Sequence, residues 1–256
     1  MEEKLFLKPF GHKKAFSTLL AILTIVVVVV VVAIVGAVSV YIQFSTGNSQ
    51  TQTMNFANFT AVNVGSAFKV SITQSSTFSV VITASQGMLN RIEVTQTGTT
   101  LKIDIQPGVF SGSFNAVAQI TMPKLDKIVF SGATHGTASG FSSNDPFVAD
   151  LSGASSLQMT NFQTGNITTE LSGASSFTAV GTANNLVSVV YGASNLDFSN
   201  LRVHNAAVNL SGASSVQINI SGRLDADLTG ASSLQYSGAP TLGNISTSGA
   251  SVISKK

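Results

Sequence analysis

The stretch Leu171-Ser-Gly-Ala-Ser-Ser-Phe177 recurs with small changes through the second half of the sequence. The glycines of seven such copies follow one another at an almost constant spacing of about 20 residues. They are Gly132, Gly153, Gly173, Gly192, Gly212, Gly230 and Gly249. A repeat of about 20 residues is typical of a solenoid, in which each repeat forms one coil and buries its apolar face by stacking on its neighbours. The spacing therefore predicts a stack of coils.

Alignment of the coils on their glycine separates apolar from polar positions. The position two before the glycine holds Phe130, Leu151, Leu171, Val190, Leu210, Leu228 and Thr247. The position four after it holds Gly136, Leu157, Phe177, Leu196, Val216, Leu234 and Ile253. The position six after it holds Ala138, Met159, Ala179, Phe198, Ile218 and Tyr236, and the column between these two is polar. Alternation with a period of two predicts strands, so we expect an all-β fold with about 20 residues per coil.

A glycine at the same place in every coil indicates a tight bend, because glycine adopts a positive φ without steric cost. Serines two positions after the glycine predict a ladder along the solenoid in which each hydroxyl donates to the next one. These serines are Ser155, Ser175, Ser194, Ser214, Ser232 and Ser251. Seven copies are too many for seven active sites, and we assign the motif a structural role.

The run from Met122 to Ala133, Met-Pro-Lys-Leu-Asp-Lys-Ile-Val-Phe-Ser-Gly-Ala, is followed by repeated Leu-Ser-Gly-Ala-Ser-Ser. Together these motifs resemble the autotransporter-adhesin head domain, also called the GIN domain or DUF2807. The resemblance covers about residues 55 to 254. It implies a right-handed parallel β-helix at the cell surface, and it brings no catalytic residues.

The N-terminal part of the chain contains an uncharged, mostly aliphatic run at residues 16–41. As a helix, this run is about 39 Å long, enough to cross a bilayer with some tilt. Lysines precede the run, and none follows it until Lys69, which places the N-terminus in the cytoplasm. We predict a cytoplasmic basic tail at 1–15, a transmembrane helix at 16–41 that anchors the chain in the cell membrane, and an extracellular or periplasmic remainder.

A second interpretation of the N-terminus stays open. The sequence Lys13-Lys-Ala15, followed by Phe16-Ser-Thr-Leu-Leu20, resembles the class III signal of archaeal pilins and flagellins. The resemblance implies cleavage after Ala15 and packing of the released helix into a filament. Leu20 stands where the family usually has glutamate. In that case the chain is a pilin-like filament subunit with a solenoid head.

Two further segments separate this run from the repeats. Residues 42–55 are polar and uncharged, which predicts a flexible tether. Residues 56–123 contain short alternating stretches without a regular period, and we predict N-terminal coils or a cap that covers the end of the solenoid at 124–254.

Two hairpins are predicted within the cap segment. Phe68 to Ile72 and Phe78 to Ile82 flank a Gln-Ser-Ser-Thr turn, and Ile92 to Val94 and Leu101 to Ile105 flank Thr-Gly-Thr.

The composition restricts the partners. Only 9% of the residues are charged, and the net charge of +2 arises before the solenoid, since nine basic and nine acidic residues follow position 41. Nucleic-acid binding needs clustered lysine and arginine, and we exclude it. Cysteine is absent, which excludes disulfides and thiolate sites. The expected partners are the membrane, through 16–41, and surface glycans, other cell-surface proteins or further copies of the chain.

One pair of carboxylates could carry chemistry. Asp150 and Glu170 occupy the same column in consecutive coils, so we expect them about one strand spacing, ~5 Å, apart. Such a pair raises one pKa, binds a cation or hydrolyses a glycoside. Arg202 and Arg223 are two or more coils away, so the face lacks a basic cluster for an acidic sugar.

The remaining functional motifs are weak. His12, His135 and His204 are too far apart in the repeat register to share a ligand. Five glycosylation sequons begin at Asn58, Asn166, Asn209, Asn219 and Asn244. We predict no catalytic, cofactor or metal site, and a non-catalytic adhesion or structural head at the surface. The alternative is a carbohydrate-active β-helix enzyme that uses Asp150 and Glu170.

Overall fold

The structure, a computed structural model, describes residues 49–108 and 115–256. Their strands belong to one continuous hydrogen-bonded sheet. The strands of the first part are β1 (Ser49–Met54), β2 (Ala61–Val64), β3 (Phe68–Gln74), β4 (Ser79–Ser85), β5 (Ile92–Thr97), β6 (Thr100–Ile105) and β7 (Ala116–Met122), with a short helix α1 (Gln86–Leu89) between β4 and β5. The strands of the repeats are β8 (Lys127–Phe130), β9 (His135–Ser139), β10 (Phe147–Leu151), β11 (Ser156–Leu171), β12 (Ser176–Val190), β13 (Asn195–Leu210), β14 (Ser215–Ile220), β15 (Arg223–Leu228), β16 (Ser233–Gly238), β17 (Thr241–Thr247) and β18 (Val252–Lys255).

The repeats form a β-solenoid of about six turns, and each turn takes about 20 residues, as predicted. Equivalent strands of successive coils pair in parallel, and the register follows the glycine alignment: Ser156 faces Ser176, which faces Asn195. The strands β11, β12 and β13 each continue around a whole coil, with register shifts where the chain turns a corner. Parallel pairing of every coil with the next satisfies the backbone hydrogen bonds.

The predicted inward columns form the core. Leu171 and Phe177 are fully buried, as are their equivalents in the neighbouring coils. In the last coil, Thr247 is exposed and Ile253 is half-buried, because no further coil covers them among the described residues. The period-two pattern therefore identified the core correctly.

The one glycine in an apolar column is explained by its neighbour. Gly136 stands where other coils have a large side chain, and a Cβ atom there would overlap the ring of Phe130. The phenylalanine two positions before the bend thus fills the space of the missing side chain. Higher in the stack, the rings of Phe177 and Phe198 in adjacent coils meet edge to face, with their centroids 5.0 Å apart.

The bends require glycine for two reasons. The seven bend glycines have φ between 71° and 79°. In addition, each bend lies directly on the preceding one: the Ala174 amide donates to the Gly153 carbonyl at 2.7 Å, and the same bond recurs in the other coils. A Cβ atom at Gly192 would lie 2.5 Å from the Gly173 oxygen.

The serine ladder was predicted only in part. The serines after the bend are buried, except for the half-buried Ser251 of the last coil. Most of their hydroxyls donate within their own coil, to the carbonyl three residues earlier; Ser175 Oγ donates to Ser172 O at 2.7 Å. The Ser155 and Ser175 hydroxyls are 3.4 Å apart, while Ser155 also donates to its own coil at 2.8 Å. Since a hydroxyl has one proton, the local bond replaces the ladder.

The stack contains one bend that the repeat period does not reveal. Gly65-Ser66-Ala67 reverses the first two residues of the motif, and Ser66 takes the glycine's place with φ 65°. The amide of Ala133 donates to the Ser66 carbonyl at 2.6 Å, as in the later bends. The strands β2 and β3 accordingly pair in parallel with β8 and β9.

The predicted hairpin of β3 and β4 is wrong, and the predicted hairpin of β5 and β6 is confirmed. The strand β7 pairs in parallel with β3 and antiparallel with β4, so it lies between the two strands that were expected to pair with each other. The strands β5 and β6 do pair antiparallel around the turn at Thr97–Thr100. Antiparallel β1, β4 and β5, together with Met88 of α1, complete the core at this end.

The predicted tether at 42–55 also needs a correction. Ser49–Met54 form β1, which pairs antiparallel with β4, and the Thr51 and Thr83 hydroxyls are 2.9 Å apart. Both faces of this edge strand are exposed except at Met54. A two-sided polar strand has the composition of a linker, which is why the sequence pattern misled.

The basic tail at 1–15, the transmembrane helix at 16–41 and the start of the tether lie outside the described residues. Within the part of the chain that the structure describes, no helix is long and apolar enough to cross a membrane.

Candidate functional site: the outward face before the bend

One outward face of the solenoid carries five charged residues, Lys127, Asp150, Glu170, Asp225 and Asp227. The outward positions three and five residues before each bend glycine are called the pre-bend face. It carries Val129, Asp150, Glu170, Val189, Asn209 and Asp227 in one column and Lys127, Val148, Thr168, Val187, Ala207 and Asp225 in the other. The outward positions that follow the bend, from β9 to β16, are mainly serine, threonine, asparagine and glutamine.

The predicted carboxylate pair is present on this face. Asp150 and Glu170 are direct partners in the parallel register of β10 and β11, about 4.8 Å apart along the sheet. Partial burial raises the pKa of the Asp150 carboxyl, repulsion from Glu170 raises it further, and Lys127 opposes both effects. The sequence interpretation identified the pair but overlooked Lys127, which lies one coil below Asp150.

Glu170 has a second neighbour that the sequence interpretation missed. The Tyr191 hydroxyl donates to Glu170 Oε1 at 3.2 Å. Tyr191 occupies the position directly before the bend, where most coils have serine, and 40% of it is exposed. The hydrogen bond directs the phenol ring toward the coil below.

Two exposed valines of β12 precede Tyr191. Val187 and Val189 of β12 are 50% and 39% exposed, on a face where the neighbouring coils present mostly polar or charged groups. We call Val187, Val189 and Tyr191 the apolar patch. It lies between Thr168 and Glu170 of the coil below and Ala207 and Asn209 of the coil above.

A ladder of amides runs beside this face. The Asn185 side chain donates to Asn166 Oδ1 at 2.8 Å, and the Asn205 side chain donates to Asn185 Oδ1 at 2.9 Å. Asn205 Oδ1 in turn accepts the backbone amide of Arg223 at 2.9 Å. The spacing of one coil between these asparagines was visible in the sequence, but Asn166 was considered there only as a sequon.

The upper end of the face holds an arginine–carboxylate pair. Arg223 donates from Nε and Nη2 to Asp225 at 2.7 and 2.6 Å, and the backbone amide of Asn244 donates to the same carboxylate. The side-chain hydrogen bonds from Arg223, reinforced by the Asn244 amide, lower the pKa of Asp225 to about 2. These groups satisfy one another's hydrogen-bonding capacity, and the bond from Asn244 connects the coil of β15 to that of β17.

The other sequence candidates do not join this face. The Nδ1 atom of His135 is 2.7 Å from Ser156 Oγ, and that of His204 is 3.3 Å from Ser221 Oγ, in separate coils. His12 lies outside the described residues. Among the sequons, Asn58, Asn166, Asn209 and Asn244 are exposed, and Asn219 is half-buried.

A small cavity of about 30 Å³ lies away from the carboxylate pair, beside Lys124, Phe141 and Asp145. Lys124 forms ion pairs with Asp145 at 2.8 Å and with Asp126 at 3.2 Å. The hydrogen bonds raise the pKa of Lys124 and lower that of Asp145. The cavity has room for a water molecule but not for a sugar.

The carboxylate pair stands on an open surface of the solenoid. Glycoside hydrolysis uses two carboxyl groups that flank the scissile bond. Asp150 and Glu170 instead project side by side from one open sheet, and Tyr191 already donates to one of them.

The comparisons with known proteins agree with this architecture. The family described as "Putative auto-transporter adhesin, head GIN domain", DUF2807, matches residues 58–240. The chain belongs to this family. The resemblance seen in the Met-Pro-x-Leu and Ser-Gly-Ala motifs is thereby confirmed, and the match includes the Ser66 bend as well as the regular repeats.

Solved structures with low sequence identity share the fold of this GIN domain. A "putative adhesin" from Bacteroides fragilis matches with a TM-score of 0.75 at 21% identity, over 83% of this chain and 98% of that chain. A "putative lipid binding protein" from Parabacteroides distasonis has a TM-score of 0.64 at 14% identity, over 82% and 98%. A "putative adhesin" from Parabacteroides merdae has a TM-score of 0.58 at 16% identity, over 82% and 98%. No curated protein matches the sequence significantly.

Proposed function

We propose that this GIN-domain protein is a non-catalytic adhesion or structural head, displayed outside the cell and anchored in the membrane by residues 16–41. The observation that carries the proposal is the family match, which covers residues 58–240. Two solved structures with the same fold are each described as a "putative adhesin", which supports the same role. The lysines at positions 4, 8, 13 and 14 support a cytoplasmic N-terminus.

The surface chemistry supports contact with neutral partners. Most outward positions carry hydroxyl or amide groups, which exchange hydrogen bonds with a glycan or with another surface protein. The carboxylate pair stands on an open face, and the described residues hold no cluster of three or more metal-ligating side chains.

Protease treatment of intact cells or spheroplasts tests the display. We expect added protease to remove the solenoid, because it lies outside the membrane, while a tag placed before Lys4 survives in the cytoplasm. Immunoblots against the tag and against the solenoid give the two readouts, with detergent-lysed cells as the control in which both are digested. Loss of the tag with survival of the solenoid would reverse the orientation and refute the proposal.

A further inference from the structure

The apolar patch is the surface feature that a structural role does not explain. Val187 and Val189 of β12 and Tyr191, the residue after the strand, stand at alternate positions, and each is at least 39% exposed. The other exposed large apolar residues among those described are Val180, on the opposite side of the bend, and Leu242 and Val252, in the last coil. These three side chains are adjacent on a face where the neighbouring coils present mainly polar groups, so a ligand that covers them would remove apolar surface from water.

The surroundings of the patch differ on its two sides. Glu170, with Asp150 one coil further, provides oxygen atoms that only accept hydrogen bonds when ionised. On the other side, Asn209 is exposed and offers both donors and an acceptor. The patch is therefore an apolar strip bordered by acceptors below and by an amide above.

The patch is small, which restricts its occupant. A stable protein–protein interface uses about 20 to 30 residues per partner, whereas three side chains form this apolar strip. A second copy of the chain would find too little apolar area here. Val187 and Tyr191 are four residues apart in nearly extended chain, about 13 Å, which suits a short run of sugar rings.

We propose that the pre-bend face around Val187, Val189 and Tyr191 binds a neutral glycan. A pyranose ring has an apolar face of C–H groups and a rim of hydroxyls. Its apolar face packs on Tyr191 and the valines, and its hydroxyls donate to Glu170 and Asp150 and exchange hydrogen bonds with Asn209. The Tyr191–Glu170 hydrogen bond holds the ring in place before binding, which lowers the entropy cost. An acidic sugar is repelled by the carboxylate pair. This inference rests on the proposed function and names its partner class.

Calorimetric titration of the full chain, in a detergent without a sugar headgroup, tests the site. The probes are cellotetraose and chitotetraose as neutral glycans, tetragalacturonate as the acidic glycan, and a short valine–lysine peptide as the basic alternative. We expect at least one neutral tetrasaccharide to bind with a Kd below about 10 mM. The double variant Tyr191→Ser with Val189→Ser should weaken that binding at least about tenfold.

The chain provides a matched control for these changes. Val180 also lies on β12, seven residues before Val187 and outside the patch, and it is 41% exposed, so Val180→Ser should change the Kd less than about twofold. Unaltered thermal midpoints of all variants show that folding is unaffected.

Several results would overturn the glycan proposal. One is that neither neutral tetrasaccharide binds, and another is that Val180→Ser weakens binding as much as the double variant does. A third is that tetragalacturonate or the basic peptide binds more tightly than the neutral glycans. The last is that the wild type dimerises in sedimentation experiments and the double variant does not. None of these outcomes touches the protease result, so failure of the glycan site is distinguishable from failure of the surface display.

Discussion

Replacement of Leu171 by aspartate should prevent stable folding of the solenoid. Leu171 is fully buried and lies between Leu151 and Val190 of the adjacent coils. Truncation to alanine removes this packing on both sides and should cost about 2–5 kcal/mol of unfolding free energy. Aspartate should cost more, because it also buries a charge without a partner. Domains of ordinary stability have about 5–15 kcal/mol in total, so a loss of this size is decisive.

Urea denaturation followed by circular dichroism measures the effect of Leu171→Ala and Leu171→Asp. The matched control is Gln158→Asp on the same strand, where the side chain is exposed and its neighbours in the column, Thr137 and Thr178, are uncharged. We expect the control to stay within about 0.5 kcal/mol of the wild type. Equal destabilisation by Leu171→Asp and Gln158→Asp would show that the column does not face a packed core.

The second large effect is expected at the bends. Gly192→Ala should destabilise the fold by more than about 2 kcal/mol, since φ of 79° costs a residue with a Cβ atom about 1–2 kcal/mol and the overlap with the Gly173 carbonyl adds to it. That carbonyl accepts the Ala193 amide at 2.7 Å, so a shift of the bend also weakens the bond between the coils. Thermal unfolding of the variant gives the measurement.

The variant Gly98→Ala distinguishes the conformational cost of a positive φ from the cost of steric overlap between bends. Its φ is 58°, but a Cβ atom there meets nothing within 4 Å. Gly98→Ala should therefore show the conformational cost alone, and Gly192→Ala the conformational cost with the overlap. If Gly192→Ala is no more damaging than Gly98→Ala, the close stacking of the bends does not contribute to stability.

The regular part of the fold could be predicted because each coil repeats one local pattern. The apolar columns around Leu171 and Phe177 have a period of two, and burial on one side of a strand produces that pattern directly. The positive φ of the bend favours glycine, so the spacing between successive bend glycines gave the number of residues per coil. Even the exception at Gly136 follows from packing, although only the position of the Phe130 ring reveals it.

The N-terminal part could not be predicted in the same way. The strand β3 pairs with β7 and β9, which lie three or more strands further along the chain, and a turn signal between β3 and β4 reports only on its immediate neighbours. The Ser66 bend escaped notice because a residue other than glycine can adopt a positive φ when hydrogen bonds hold it there. The strand β1 escaped notice because a strand with two polar faces has no alternation.

The candidate site was predicted in part. The register placed Asp150 beside Glu170, since equivalent positions of parallel coils are neighbours. Tyr191 departs from a column of serine and threonine, but its hydrogen bond to Glu170 and the exposure of Val187 depend on which side of the chain faces solvent in the stacked structure.

Attachment and cleavage, measured in parallel, test the central claim that this chain is a non-catalytic adhesion head. Cells that express the wild type, the Asp150→Asn with Glu170→Gln variant, or a chain without residues 49–256 are compared for cell-to-cell attachment and for release of reducing sugar from a panel of polysaccharides. We predict attachment by the wild type and by the double variant, whose amide oxygens still accept hydrogen bonds, reduced attachment without the head, and no sugar release. Sugar release by the wild type that the double variant loses, or attachment that is independent of the head, would contradict the claim.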